Sequence, residues 1–317
     1  MYPFLLDAME ELGERRRYAI RYALALYTEE VEERNMAMIR RLGREVLQRP
    51  GQAGTTEEDI WKERRRWFAK KFSHWDDEAQ NLPLTTAEYP HAKWPEELMQ
   101  RWGLRGITKD HLDLDQRNGY FAAVRNEIAG LSLAGECCPR SLPPDLVYLS
   151  CLVDAVHGPG LPEWRRGQQI DMISSTQDFF RRPDRAREYM AVSPSGADMD
   201  PDERWNSNRE AQDLDFVWEG WRKSVGFMIG KNDRFSNAGS CAVFCRRLRD
   251  VEHWDHGVEY DPEEATPEEQ AWKENDLQWQ WRFGVYDGEW HSDLFDTVEE
   301  YLAWYADCKE PAAEKWW

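Results

Sequence analysis

The sequence predicts an α+β fold, a mainly antiparallel sheet flanked by helices and preceded by an N-terminal helical region. Apolar residues recur at helical spacing through the first half of the chain, and beyond residue 215 the period changes to two. A capped helical stretch then follows the last strand pattern. The 317 residues allow one large domain with extensions or two modest ones. The pattern divides them into a helical region at 1–80, a helical linker at 81–134 and an α+β domain at 135–317.

The first region places Ile20, Leu24, Tyr27, Val31, Ile39, Leu42 and Val46 on one face of a long helix, from Leu5 to Leu47. Pro50, Gly51 and Gly54 stop it. Thr55, with Glu58 three residues on, predicts a capping box for a second helix carrying Ile60, Trp61, Arg64, Trp67, Phe68 and Phe72 at the same period. The arginine runs 15–17 and 64–66 are nearly cancelled by adjacent acids, which favours solvated helix faces over phosphate sites.

In the linker, Trp94 and Pro95 open a short helix that ends at Gly103. Asp113 to Gly119 is arranged partly like a calcium loop, but its glycine is one place late and Val124 stands where the bidentate glutamate belongs. Calcium is rejected there. The stretch reads as a turn feeding a helix with Tyr120, Val124, Glu127, Ile128 and Leu131 on successive turns.

In the third region, Ser141-Leu142-Pro143-Pro144-Asp145 starts a helix that buries Leu142, Leu146, Leu149, Leu152, Val153 and Val156 and ends at Gly158. Residues 161–215 lack sustained periodicity and read as an irregular insertion. Strands follow at 216–221, 225–229 and 240–246. The clearest has Trp279, Trp281, Phe283 and Val285 alternating with Gln278, Gln280, Arg282 and Gly284. Asp287-Gly288 signals a turn, and Asp296 or Thr297 caps a final helix with Val298, Tyr301, Leu302 and Tyr305 on one side.

Net charge of -19 opposes nucleic acid and anionic membrane as partners of the main domain. Its placement is uneven. Residues 1–72 hold 15 basic and 13 acidic side chains, whereas residues 250–317 hold 4 basic and 20 acidic ones. No apolar run reaches the ~20 residues a bilayer requires. The opening stretch is broken by Asp7, Glu10 and Glu11 instead of forming a signal-peptide core. A cytoplasmic or nuclear protein is expected. The six cysteines read as reduced thiols, and Cys241 and Cys245, about 13 Å apart along a strand, are too distant to share a zinc.

The helix opened by Leu142-Pro143-Pro144-Asp145 and closed by Gly158, the strands, and then Phe295-Asp296-Thr297-Val298-Glu299-Glu300-Tyr301-Leu302 follow one another in an order that resembles the SUKH superfamily. That family shows an LP-x-D helix ending at glycine, strands punctuated by aromatics and glycine, and a terminal F-x-S/T-x-x-E-[FY]-L helix. The resemblance covers about residues 135–306. The long insertion and the acidic run 260–264 are departures from its spacing. The family includes fungal regulators of cell-wall synthesis and signalling, and bacterial immunity proteins that neutralise toxins. It implies a SUKH-like fold and protein binding as the activity, and it offers no catalytic residues to transfer.

Nucleophile elbows, P-loops, HExxH sites and dinucleotide glycine motifs are absent from the sequence. His253, Asp255 and His256 sit among turn formers that oppose the helix a metal pair at that spacing needs. No catalytic residue, cofactor or metal is assigned. The expected function is a non-enzymatic, protein-binding regulator or scaffold. Its partner is a basic protein meeting the acidic C-terminal surface at Glu263, Glu264, Glu268 and Glu269. The alternative is a carbohydrate-binding protein or carbohydrate-active enzyme, because 17 tryptophans and many carboxylates are the materials of sugar sites. Trp67, Trp102, Trp279 and Trp281 stand at periodic positions, where core packing is the expected use.

Overall fold

A helix of 35 residues, α1 (Glu14–Gln48), contributes one face to the core. The computed structural model describes residues 10–48, 56, 58–60, 62–63, 106–109, 112–131, 137–156, 172–174, 178–192, 206–207, 221–231, 238–247, 277–287 and 292–306. In α1 the predicted stripe is buried at Ile20, Leu24, Tyr27, Val31 and Ile39. The helix does not run unbroken from Leu5. The chain breaks at Leu12 and Gly13, and the Gly13 carbonyl accepts from the Arg16 and Arg17 amides at 3.0 and 3.1 Å. The next helical start is capped by Thr56, one residue later than predicted. Its hydroxyl accepts from the Asp59 amide at 3.2 Å.

Strand β1 (Ile107–Thr108) precedes α2 (Leu114–Ala129), which is capped by Asp113 accepting from the Gln116 amide at 3.0 Å. The predicted turn at 113–119 is therefore the first turns of this helix, because Asp113 supplies the N-cap. Helix α3 (Pro144–Leu152) has proline in its first turn and buries Leu146, Val147, Tyr148, Leu149 and Ser150. It stops at Leu152, short of the predicted Gly158. Val153 is extended, the Asp154 amide donates to the Thr108 carbonyl at 2.8 Å, and β2 (Ala155–Val156) begins. Val153 and Val156 are buried as expected, but on extended backbone that suits β-branched side chains. With β3 (Ile173–Ser174) these strands form a small antiparallel sheet in the order β1-β2-β3.

The 161–215 stretch contains β3, a one-turn helix α4 (Asp178–Arg181), a 3₁₀ segment (Pro183–Tyr189), β4 (Met190–Val192) and β5 (Asn206–Ser207). Elements of two to seven residues are too short to register as a period. The main sheet adds β6 (Trp221–Lys231), β7 (Ala238–Arg247), β8 (Gln280–Asp287) and β9 (Ser292–Phe295), and its antiparallel order is β5-β4-β6-β7-β8-β9. Register shifts between Lys223 and Val225 and between Met228 and Gly230 interrupt the alternation of β6. Thr297 and Glu300 then form a reciprocal capping box, with each side chain accepting from the other's amide at 3.2 Å, and start α5 (Val298–Ala306). The α+β class with a mainly antiparallel sheet and flanking helices is what the structure shows.

One apolar cluster runs from Leu12 to Ala306 and joins α1, α2, α3, α5 and the sheet. At its centre Tyr120 and Phe121 of α2 meet Phe180 and Phe227, with ring centroids 4.9 to 6.5 Å apart at steep angles. The Tyr120 hydroxyl donates to the Met228 carbonyl at 2.9 Å, so the ring can be buried without leaving its polar end unpaired. Across β8, Phe283 and Val285 are buried and Trp281 packs against the core as the alternation predicts. Arg282, on the supposedly polar side, is buried too. Its guanidinium donates to Asp296 at 2.6 Å and to the Cys245 carbonyl at 2.8 Å, and lies 4.5 Å from the Trp221 ring.

Candidate interaction surface

The surface is built on α1, and the first requirement is that this helix be fixed. Its inner face packs against α5 and α3. Arg16 reaches across both, donating to the two Glu299 carboxylate oxygens at 2.6 and 2.8 Å and pairing with Asp145. Each acid lies in the first turn of its helix, where negative charge is favoured. Burial opposes a charged Arg16, yet the hydrogen bond and charge of Asp145, with Glu299, hold its pKa above the ordinary arginine value. Burial also lifts the Glu299 carboxyl above its usual range, outweighing the pull of Arg16. With Arg16 39% exposed, the triad is a positioning clamp and a small stabiliser. Further along, Arg34 donates to the Ala306 carbonyl at 2.6 Å, placing a cation at the negative end of α5.

The outer face of the clamped helix is apolar at its centre. Tyr18, Tyr22 and Leu26 are 64%, 55% and 39% exposed, and they are the large exposed hydrophobics among the described residues. Spaced four apart, they form one line along the helix, and the Tyr18 and Tyr22 rings lie nearly parallel with centroids 6.2 Å apart. A helix whose inner stripe already fills the core has no folding use for a second apolar line on its back. Exposed Arg15 stands at the N-terminal end of this line, Arg21 beside it between the two tyrosines, and exposed Glu29, Glu30 and Glu33 at its C-terminal end. Tyrosine at the centre with charge at the rim is the composition of a protein contact.

The sequence-predicted binding residues Glu263, Glu264, Glu268 and Glu269 lie outside the described residues, as do His253, Asp255, His256, Trp67 and Trp102. Within the acidic C-terminal part, three carboxylates serve the fold. Glu299 holds Arg16, Asp296 accepts from Arg282 at 2.6 Å and from Gln280 at 3.2 Å, and Glu300 caps α5. Trp279 stacks on Phe244 at 5.8 Å and Trp281 donates its indole N–H to the Ser141 carbonyl at 2.7 Å. Both are used in packing. Among the described residues no group of three or more His, Cys, Asp or Glu is arranged to hold a metal, and no helix is long and apolar enough to cross a membrane.

The tyrosine line is a feature that the stripe analysis of the sequence passed over. Its signal is a second four-residue spacing, 18, 22 and 26, offset by two from Ile20 and Leu24 and so on the other side of the helix. Comparison of the chain with family models, with characterised proteins and with solved structures finds no match.

Proposed function

We propose that the chain is a non-enzymatic, protein-binding regulator or scaffold built on a SUKH-like domain and working in the cytoplasm. The observation that carries this reading is the solvent-facing line Tyr18, Tyr22 and Leu26 on a helix held in place by its other face. Further support comes from the two motifs of the SUKH resemblance. Leu142-Pro143-Pro144-Asp145 opens a buried helix, and Phe295 to Leu302 leads an edge strand into a capped terminal helix. By its charge the acidic run with Glu263, Glu264, Glu268 and Glu269 is a second candidate contact, suited to a basic partner.

Site-specific photo-crosslinking in cells tests this. A photoreactive residue is placed at Tyr22, at Glu264 or, as a control, at exposed Asp115 of α2. A reproducible protein adduct at Tyr22 or Glu264 and not at Asp115 is expected, and the partner should bind again when purified. Adducts no stronger than the control at both positions, together with a saturable change of tryptophan fluorescence on adding oligosaccharides, would reject protein binding in favour of a sugar ligand.

A further inference from the structure

We infer that α1 pairs antiparallel with α1 of a second copy of this chain, forming a two-fold dimer centred between Tyr22 and Leu26. The inference rests on the reading of the tyrosine line as a protein-binding face and names its occupant. Charge is ordered along the exposed side of the helix. Exposed Glu10, Glu11 and Glu14 come first, then Arg15 ahead of the apolar Tyr18, Tyr22 and Leu26 with Arg21 between the two tyrosines, then Glu29, Glu30 and Glu33, then Arg40, Arg41 and Arg44. The sequence of blocks is negative, positive, apolar, negative, positive. Reversed end for end it reads positive, negative, apolar, positive, negative, which is its own complement. An antiparallel second copy therefore sets Arg15 opposite Glu33, Tyr22 opposite Leu26 and Tyr18 near Glu30, with the mirror set on the other side of the axis. A parallel copy in register would set like against like. This is the self-complementarity that a closed two-fold interface requires.

Neither Arg15, Arg21, Glu29 nor Glu33 has an ion-pair partner among the described residues, so engaging these four breaks no ion pair there. About the centre between Tyr22 and Leu26, residue 14 of one copy faces residue 34 of the other, so the two helices overlap over about 30 Å and bring together the positive, apolar and negative blocks, which are their own complement when reversed. The charges set direction and register, since exposed pairs contribute little to affinity. Affinity comes from two tyrosines and a leucine on each copy, which together bury roughly 600 Å² of apolar surface. Even with the stems of the charged residues this falls short of the ~1,200 Å² of a permanent complex. The dimer is therefore transient, with a Kd on the order of 10–100 μM, and forms where the chain is locally concentrated.

Sedimentation of the full-length chain tests the pairing. The weight-average mass should rise from 37.5 kDa towards twice that value as concentration increases from about 1 to 300 μM. Tyr22→Ser with Leu26→Ser should hold the chain at the monomer mass with an unchanged melting transition, since both side chains face solvent. Arg15→Glu in one chain, and Glu29→Arg with Glu33→Arg in another, should each weaken self-association at least tenfold. An equimolar mixture of these two chains should recover the wild-type affinity to within about threefold, because each now meets its opposite charge at both ends. A monomer at every concentration, a dimer indifferent to Tyr22→Ser with Leu26→Ser, or a mixture that stays as weak as its components would each overturn the inference. Failure here leaves the wider reading distinguishable: a monomeric chain that still crosslinks to another protein from Tyr22 has lost only the second copy as occupant.

Discussion

Two glycines should respond to the same substitution with opposite sign. Gly106 precedes β1 with φ of +77°, and an added Cβ would stand 2.9 Å from a Tyr27 ring carbon and 3.2 and 3.3 Å from Val31 side-chain carbons. Both neighbours are buried in α1 and have little room to withdraw. A non-glycine residue in the left-handed region costs about 1–2 kcal/mol, and overpacking a filled site costs about 1–3 kcal/mol. Gly106→Ala should therefore destabilise by about 2–5 kcal/mol. Gly119 lies inside α2, and its new Cβ would meet Pro183 at 3.6 Å, an ordinary contact. There alanine should stabilise by about 0.5–1 kcal/mol through helix propensity. Urea unfolding followed by tryptophan fluorescence measures both. At a slope of about 3 kcal/mol/M the Gly106→Ala midpoint should fall by roughly 1 M with the slope unchanged, while that of Gly119→Ala rises slightly. A Gly106→Ala midpoint within 0.2 M of wild type, or the same sign of shift for both variants, would refute the account of how α1 meets β1.

Leu149 of α3 is fully buried in the shared core, so Leu149→Ala should cost about 2–5 kcal/mol in the same assay, and a neutral result would mean that the face of α3 is misassigned. Burial raises the Cys241 thiol pKa and lifts that of Cys245 to about 11, with Arg282 only partly offsetting it. Both thiols should therefore resist a thiol-specific reagent at pH 8 until the chain unfolds, and rapid native labelling at Cys245 would contradict the burial. A folded Cys245 pKa above the unfolded value of about 8.5 leaves stability intact below that pH and erodes it as pH climbs through about 11.

Much of the fold could be read directly from residue spacing. The stripe Ile20, Leu24, Tyr27, Val31 and Ile39, the helix containing Tyr120 and Val124, and the alternation along β8 are long enough for their periods to show, and the structure buries them. The boundary at Leu152 was harder to see. A run of buried Leu and Val has the same composition in a helix as in a strand, and the turn to β2 depends on Thr108, which accepts from Asp154 across 46 positions of sequence. The elements between 172 and 192 are shorter than the periods that would reveal them. Arg282 reads as an outward residue until Asp296, the Cys245 carbonyl and Trp221 come together around it. The interaction surface was hidden differently. The acidic C-terminal part stands out by its net charge, whereas on α1 the exposed tyrosines share a helix with the core stripe, and only the tertiary contacts show which line faces inward.

The clamp between α1 and α5 also sets the schedule of folding during synthesis. Arg16 and Glu299 are separated by 283 positions, so at ~5–20 residues per second the ribosome needs roughly 15–60 s after making α1 to deliver its partner helix. Until α5 is made, the core stripe of the nascent α1 has only part of its cover, from α3 and the start of β1, while Tyr18, Tyr22 and Leu26 stay exposed. Contacts this distant in sequence are slow to form even in the finished chain. Newly made copies on one messenger are thus exposed to pairing through the wrong line, and yield in the cell should depend on holding chaperones and on the pace of translation.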